Sequence, residues 1–310
     1  MSDALPEKPA SLGDLVGLAF RLFRADWKQF VARLFWPSLF SSLCMYGTNW
    51  TLVHWINGRT LAVDWFVIHM LVMFACVVVV ILCQWEIALR SVALLRNTLA
   101  VSPSYEEGLA YARRRQWAVM IVYSISFLAP FIVGIVFGAM FVATVFVGQF
   151  GSAGLVASIA LAFIEGLALV VVGSFAVLLT GLCFLVIACE TLKVGEALRR
   201  GVYLALRYKW RGASFISLLF ASIFSVNLGV FLPVVLLAIY HVYTSAASTA
   251  TGQVEFPFYI RALEVAETTV TSIVSVAIGM VGTGLYYRDM TLRVEGRDLI
   301  ESLERLQARS

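Results

Sequence analysis

Charged residues are bunched along this chain, and the stretches between the bunches are almost wholly apolar. A helix needs ~20 apolar residues to cross the hydrocarbon core of a bilayer, so the gaps between charges read as crossings. Residues 34–53 are uncharged and just long enough. Residues 65–89 cross back, with Glu86 near the end of the run. From Gln116 to Cys189 the single charge is Glu165. That region is too long for two minimal crossings and too short for four with their turns. The sequence predicts two long helices, 117–147 and 153–189, joined by Gly148-Gln149-Phe150-Gly151, with Pro130, Gly134, Gly166 and Gly173 as places to kink or break. Residues 212–243 and 264–287 are the fifth and sixth spans.

The polar segments between spans have a pattern of their own. Ser11-Leu12-Gly13-Asp14 opens like a capping box. Leu12, Leu15, Val16, Ala19, Leu22 and Phe23 then follow helical spacing, ending in Arg24-Ala25-Asp26-Trp27. Ser104-Tyr105-Glu106-Glu107 opens a second segment that ends Arg113-Arg114-Arg115-Gln116-Trp117. A third carries Val194, Ala197, Leu198, Val202 and Ala205 and ends Arg207-Tyr208-Lys209-Trp210. Amphipathic helices are therefore expected at about 11–27, 104–116 and 193–210, with a last one at about 297–307. The chain reads as three copies of one unit, an interfacial helix followed by a two-span hairpin. Each short helix either lies in a headgroup layer, with its Arg and Lys on anionic lipid, or packs on its counterparts as a collar.

Composition fixes the solvent. The chain is 61% hydrophobic and 14% charged, against ~45–50% and ~25% for an ordinary globular domain. That excludes soluble enzymes, nucleic-acid binders and disordered regulators. The expectation is a single all-α, polytopic membrane domain over residues 1–310. Of the 23 Lys and Arg, only Arg59 and Arg261 fall on one side of the six-span scheme. The positive-inside bias then puts both termini in the cytoplasm. Trp27, Trp85, Trp117 and Trp210 mark the cytoplasmic boundary and Trp50, Trp55 and Trp65 the outer one, with Trp36 off the scheme. The N-terminus has no cleavable-signal pattern. Cys44, Cys76, Cys83, Cys183 and Cys189 show no paired spacing and read as small buried hydrophobes.

The tail runs Tyr286-Tyr287-Arg288-Asp289-Met290-Thr291-Leu292-Arg293-Val294-Glu295-Gly296-Arg297-Asp298-Leu299. It resembles the closing motif of bacterial membrane proteins similar to the membrane domain of glycerophosphoryl diester phosphodiesterases. There the last span runs into Tyr-x-Asp, a basic stretch, and Glu-Gly-x-Asp-Leu. Asp289, Arg293, Glu295, Gly296, Asp298 and Leu299 match, while Thr291 stands where that family usually has a second Arg. Glu196-Ala197-Leu198-Arg199-Arg200, running into Trp210, is also similar. The resemblance covers the tail closely and the rest loosely. It implies a multi-span helical fold with cytoplasmic ends and no established chemistry of its own. Independently of it, Glu295 and Asp298 are positioned to pair with arginines of the earlier segments, and Gly296 can separate the last span from the terminal helix.

No phosphate-cradling loop, zinc-protease helix or nucleophile elbow occurs, and no cofactor or metal is expected. His54, His69 and His241 share the outer side with Asp64, Glu255, Glu264 and Glu267, but no two histidines have ligand spacing. Glu86 has Arg90 four residues on, which accounts for it. Glu165 is the sharpest candidate, because an ionisable group in an apolar helix is a functional candidate by default. With Phe150 it marks the 140–165 hairpin as the contact site for a protein partner, a second copy or a lipid. Arg113, Arg114 and Arg115 are the candidate contacts for anionic lipid on the cytoplasmic side, and no nucleic acid is expected. The function expected is a non-enzymatic accessory or scaffold subunit, or a lipid-handling membrane domain. A transporter or channel for a small amphiphile would need several intramembrane polar groups facing one cavity. A membrane-embedded enzyme would have to draw on the outer histidines and acids.

Overall fold

The computed structural model describes residues 10–56, 63–149, 151–246 and 257–296. Of these, 93% are helical and none is in a strand. Eight helices follow one another among the described residues: α1 (Leu12–Ile56), α2 (Val63–Thr98), α3 (Tyr105–Arg114), α4 (Gln116–Val147), α5 (Gly151–Cys189), α6 (Val194–Arg207), α7 (Lys209–Ala246) and α8 (Phe258–Glu295). Five segments, Val67–Thr98, Gln116–Val147, Gly154–Cys189, Lys209–Thr244 and Phe258–Val294, are long and apolar enough to cross a membrane.

The stretch 34–53 is helical but is not one of the five. It is the second half of α1, separated from the expected 11–27 segment by a kink at Asp26. Pro37 and a row of serines dilute its apolar character, and Ser38, Ser41, Ser42 and Thr51 are buried. Proline has no N–H, so Pro37 leaves the carbonyl of Arg33 without its helical donor. Arg90 supplies one, its Nη1 donating to Arg33 O at 2.6 Å while its Nε holds Glu86 Oε2 at 3.1 Å. The expected Glu86–Arg90 pair therefore forms, and the same arginine also repairs a proline break.

The described residues divide into two compact units, Met1–Leu22 with Val92–Ala221 and Gly279–Ser310, and Phe23–Ser91 with Ser222–Ile278. In the second unit Asn227 Nδ2 donates to Ser275 Oγ at 2.8 Å, linking α7 and α8. Gln84 and Ser41 link α2 and α1 at 3.4 Å. In the first unit Ser126 Oγ donates to the Thr180 carbonyl at 3.0 Å between α4 and α5, and the Phe215 and Tyr286 rings stack 4.7 Å apart.

The three sequence segments ending in a basic residue and a tryptophan share one backbone event. Each amphipathic stretch breaks at a single non-helical residue before the long helix starts. These are Asp26 (φ −115°, ψ 17°), Arg115 (φ −113°, ψ 21°) and Tyr208 (φ −131°, ψ 50°). At the same distance ahead of each break lies a small buried residue, Ala19, Gly108 or Gly201. The smallness is required. A Cβ on Gly108 would lie 2.9 Å from the carbonyl oxygen of Ala93 in α2, and one on Gly201 would lie 2.6 Å from Cys183 Cα in α5. α3 and α6 thus lie against the preceding long helix at backbone contact distance, as small-residue pairs allow in helices packed in lipid. Their apolar stripes, Gly108 and Ala112 in α3 and Ala197, Gly201, Leu204 and Ala205 in α6, are buried.

Gly201→Ala is expected to lower the thermal stability of detergent-purified protein by about 1–3 kcal/mol, the range for overpacking. The gain of up to ~1 kcal/mol in helix propensity does not offset a clash with backbone. Gly195→Ala, in the same helix with open space around it, is expected to be neutral or stabilising. Equal melting shifts for the two would contradict the close approach.

Candidate functional site

The last four carbonyls of a helix have no partner within it, and the three long helices α2, α5 and α8 meet this need differently. At the end of α2, Ala100 adopts φ 56°. Val101 N–H then donates to Arg96 O at 2.8 Å and Ala100 N–H to Asn97 O at 3.2 Å, the paired bonds of a Schellman motif. At the end of α8 the left-handed residue is Gly296, φ 59°, where glycine carries no steric cost. No positive-φ residue stands at the end of α5. Its carbonyls are met by side chains from elsewhere.

Arg96 at the end of α2 donates to Ala188 O at 2.8 Å, and the single hydroxyl proton of Tyr111 in α3 is shared between Glu190 O at 2.8 Å and Ile187 O at 3.1 Å. Arg115, the break residue between α3 and α4, donates through Nη1 to Glu190 O at 2.9 Å and through Nη2 to Leu192 O. The cap is itself braced. Arg115 Nη1 lies 2.6 Å from Tyr111 Oη, and the Arg96 guanidinium carbon sits 3.8 Å above the Tyr111 ring. The Glu190 carboxylate draws in two more helices, since Oε1 accepts from Arg200 Nε of α6 at 2.7 Å and from the Tyr287 hydroxyl of α8.

A second acid-centred cluster lies nearby in sequence. Asp289, 1% exposed, accepts from Arg211 Nη2 at 3.2 Å and Arg293 Nε at 2.9 Å. Its other oxygen accepts from the N–H of Ala10 at 2.9 Å, and both arginines also donate to the Ala10 carbonyl. The chain just ahead of α1 is thereby clamped to α7 and α8. Asp289, Arg293 and Tyr287 are all residues of the tail motif.

The sequence candidates separate. Of the arginine triplet, Arg115 is half-buried in the α5 cap, whereas Arg113 and Arg114 are exposed. Each break is followed by an exposed tryptophan: Trp27 is 49% exposed, Trp117 67% and Trp210 70%. Exposed cations flank them, Arg24 and Lys28, Arg113 and Arg114, and Arg207 and Lys209. Glu165 lies on α5 facing α4, its Oε1 accepting from Thr144 Oγ1 at 2.6 Å. Glu295 is the last residue of α8, and Phe150 and Asp298 lie outside the described residues. Among the described residues no three His, Cys, Asp or Glu side chains converge as a metal site would require.

Sequence reading gave no site role to Glu190, Arg96, Tyr111, Arg200 or Arg211. One signal could have found the acids. At or just past the basic ends of α2, α5 and α8 stand Glu86, Glu190 and Asp289, each paired with arginine. Comparison of the chain with protein-family models, with curated proteins and with solved structures finds no match.

Arg115→Gln leaves the Leu192 carbonyl without its donor and Glu190 O with Tyr111 alone, and is expected to destabilise the purified protein by about 1 kcal/mol or more, the scale of an unmet part-buried polar group. Arg113→Gln and Arg114→Gln are expected to stay within about 0.5 kcal/mol of the parent, as exposed positions do. Thermal unfolding in one detergent compares all three. Equal effects across the triplet would contradict the division of labour.

Proposed function

We propose that this chain is a non-enzymatic, multi-pass protein of a bacterial inner membrane, acting as a scaffold or accessory subunit or as a lipid-handling domain. In this reading the second half of α1 is a sixth span. The six spans form three hairpins, and all the basic ends and both termini face the cytoplasm. The observation that carries it is the recurrence, at the three breaks, of an exposed tryptophan flanked by exposed cations. A tryptophan has an apolar body and a polar N–H and prefers the headgroup level. Lys and Arg beside it gain about 1 kcal/mol each near an anionic leaflet. The apolar stripes of α3 and α6 are spent on protein contacts, so it is their tryptophan ends that meet the lipid. The resemblance of the tail to the membrane-domain family of the phosphodiesterases supports the same reading. It gives Tyr287, Asp289 and Arg293 an architectural task in place of a chemical one.

Single-cysteine labelling in intact cells tests the topology. Positions near Arg59 and Ser248 are expected to react with an impermeant reagent, and positions near Arg114 and Arg297 only after the membrane is opened. External labelling near Arg114 overturns six spans. The lipid contact is tested by replacing Arg113, Arg114, Arg207 and Lys209 together with Gln. Co-purified anionic lipid is expected to fall severalfold with the fold intact, and unchanged lipid content contradicts the contact.

A further inference from the structure

The far end of the α4–α5 hairpin carries a polar site that the basic-end network does not use. Glu165 Oε1 accepts a 2.6 Å hydrogen bond from Thr144. Its Oε2 is buried and meets no donor among the described residues. Thr144 is buried, but the flanks are apolar and exposed: Phe141, Val145, Phe163 and Ile164 are each at least half exposed. The depth follows from helix rise. Thr144 lies about 40 Å along α4 from Trp117, and Glu165 about 36 Å along α5 from Cys189, at about 1.5 Å per residue. With Trp117 at one headgroup layer, the pair reaches the other, since the hydrocarbon core is about 30 Å thick. A Cβ on Gly148 would lie 2.9 Å from Ser158 Oγ, so the first turns of α5 run on past the end of α4.

We propose that Glu165 and Thr144 form a site for the primary ammonium headgroup of an outer-leaflet amphiphile, whose tails lie on the apolar flanks of α4 and α5. This rests on the membrane reading above and names the ligand of the hairpin. A carboxylate with one neutral donor in apolar surroundings is costly. An –NH3+ group brings the opposite charge and three N–H donors, one of which meets Oε2 once the Glu165 carboxyl group rotates to present that oxygen to the lipid side. A quaternary ammonium carries the charge with no N–H and leaves that oxygen unmet. A second copy does not supply the cation through its own hairpin, because the sequence has no Lys or Arg between Trp117 and Leu192. The exposed apolar flanks fit acyl chains better than a protein lysine arriving alone.

The test uses the full chain in nanodiscs of equimolar phosphatidylethanolamine, phosphatidylcholine and phosphatidylglycerol, with retained lipids identified by native mass spectrometry. The wild type is expected to retain phosphatidylethanolamine in preference to the other two. Glu165→Gln is expected to lose about tenfold of that preference, the scale of one charge-assisted hydrogen bond, and Thr144→Val part of it, with both variants eluting as the wild type does. A preference identical in wild type and Glu165→Gln overturns the site, as does lipid retained without regard to headgroup. Either result leaves the wider lipid-contact reading standing. No lipid retained by any form of the protein sinks that reading as well. A protein that co-purifies with wild type and is lost from Glu165→Gln, without change in lipid, replaces the amphiphile with a protein partner and also overturns the proposal.

Discussion

A helix that ends at the edge of an apolar solvent leaves unmet carbonyls, and they cannot be left bare. The basic-end architecture depends on how α5 meets this demand. α2 solves it locally by turning Ala100 left-handed, and α8 ends at a left-handed Gly296. α5 ends at Cys189, and the carbonyls of its last turn and of Glu190 just beyond are met in trans by Arg96, Tyr111 and Arg115. A local cap would need nothing beyond its own helix. This one exists only when the end of α2, α3 and the start of α4 are already in place. The Glu190 carboxylate then adds α6 and α8. Capping one helix therefore becomes the point where most of the first unit is joined.

The acids follow from the same constraint. Arginines drawn inward to meet carbonyls bring positive charge into half-buried positions, and one carboxylate per cluster offsets part of it. Asp289 is nearly fully buried and holds two arginines and the Ala10 backbone at once. Removing one partner of such a buried pair typically costs about 3–5 kcal/mol, whereas replacing the whole set by apolar groups can be neutral. The clusters are therefore better understood as fixing which segments meet than as a store of stability. Exposed cations such as Arg113 and Arg114 belong to no such cluster and remain for the surface.

The apolar runs were legible in the sequence because charge spacing alone delimits them, and the breaks were legible from basic residues followed by tryptophan. The breaks emerge as a shared backbone feature at Asp26, Arg115 and Tyr208. The role of 34–53 was less legible. An uncharged stretch looks like a span whichever residues fill it, and Pro37 with its buried serines makes this one the polar member of the set. Glu190 was invisible because it stands where an apolar run ends, and any such run ends in something polar. What distinguishes it is the identity of partners far along the chain, which is information about packing. Arg115 could not be told from Arg113 and Arg114 for a similar reason, since composition does not record which side of a break a residue occupies. Glu165 was legible as the lone charge of a long apolar region. Its Thr144 partner was not, because the offset between α4 and α5 is set by the turn.

The central claim is that the breaks hold their tryptophans at a membrane surface while the arginines behind them close α5. It is tested most directly by the depth of Trp117 and Trp210, both in the first unit. Proteins keeping only one or the other would be reconstituted with lipids brominated at successive positions along the acyl chain, and fluorescence quenching measured for each. The account predicts that both are quenched most by the bromine nearest the headgroup, to the same extent. Quenching of either one chiefly by bromine at the chain ends, or by an aqueous quencher alone, would contradict it.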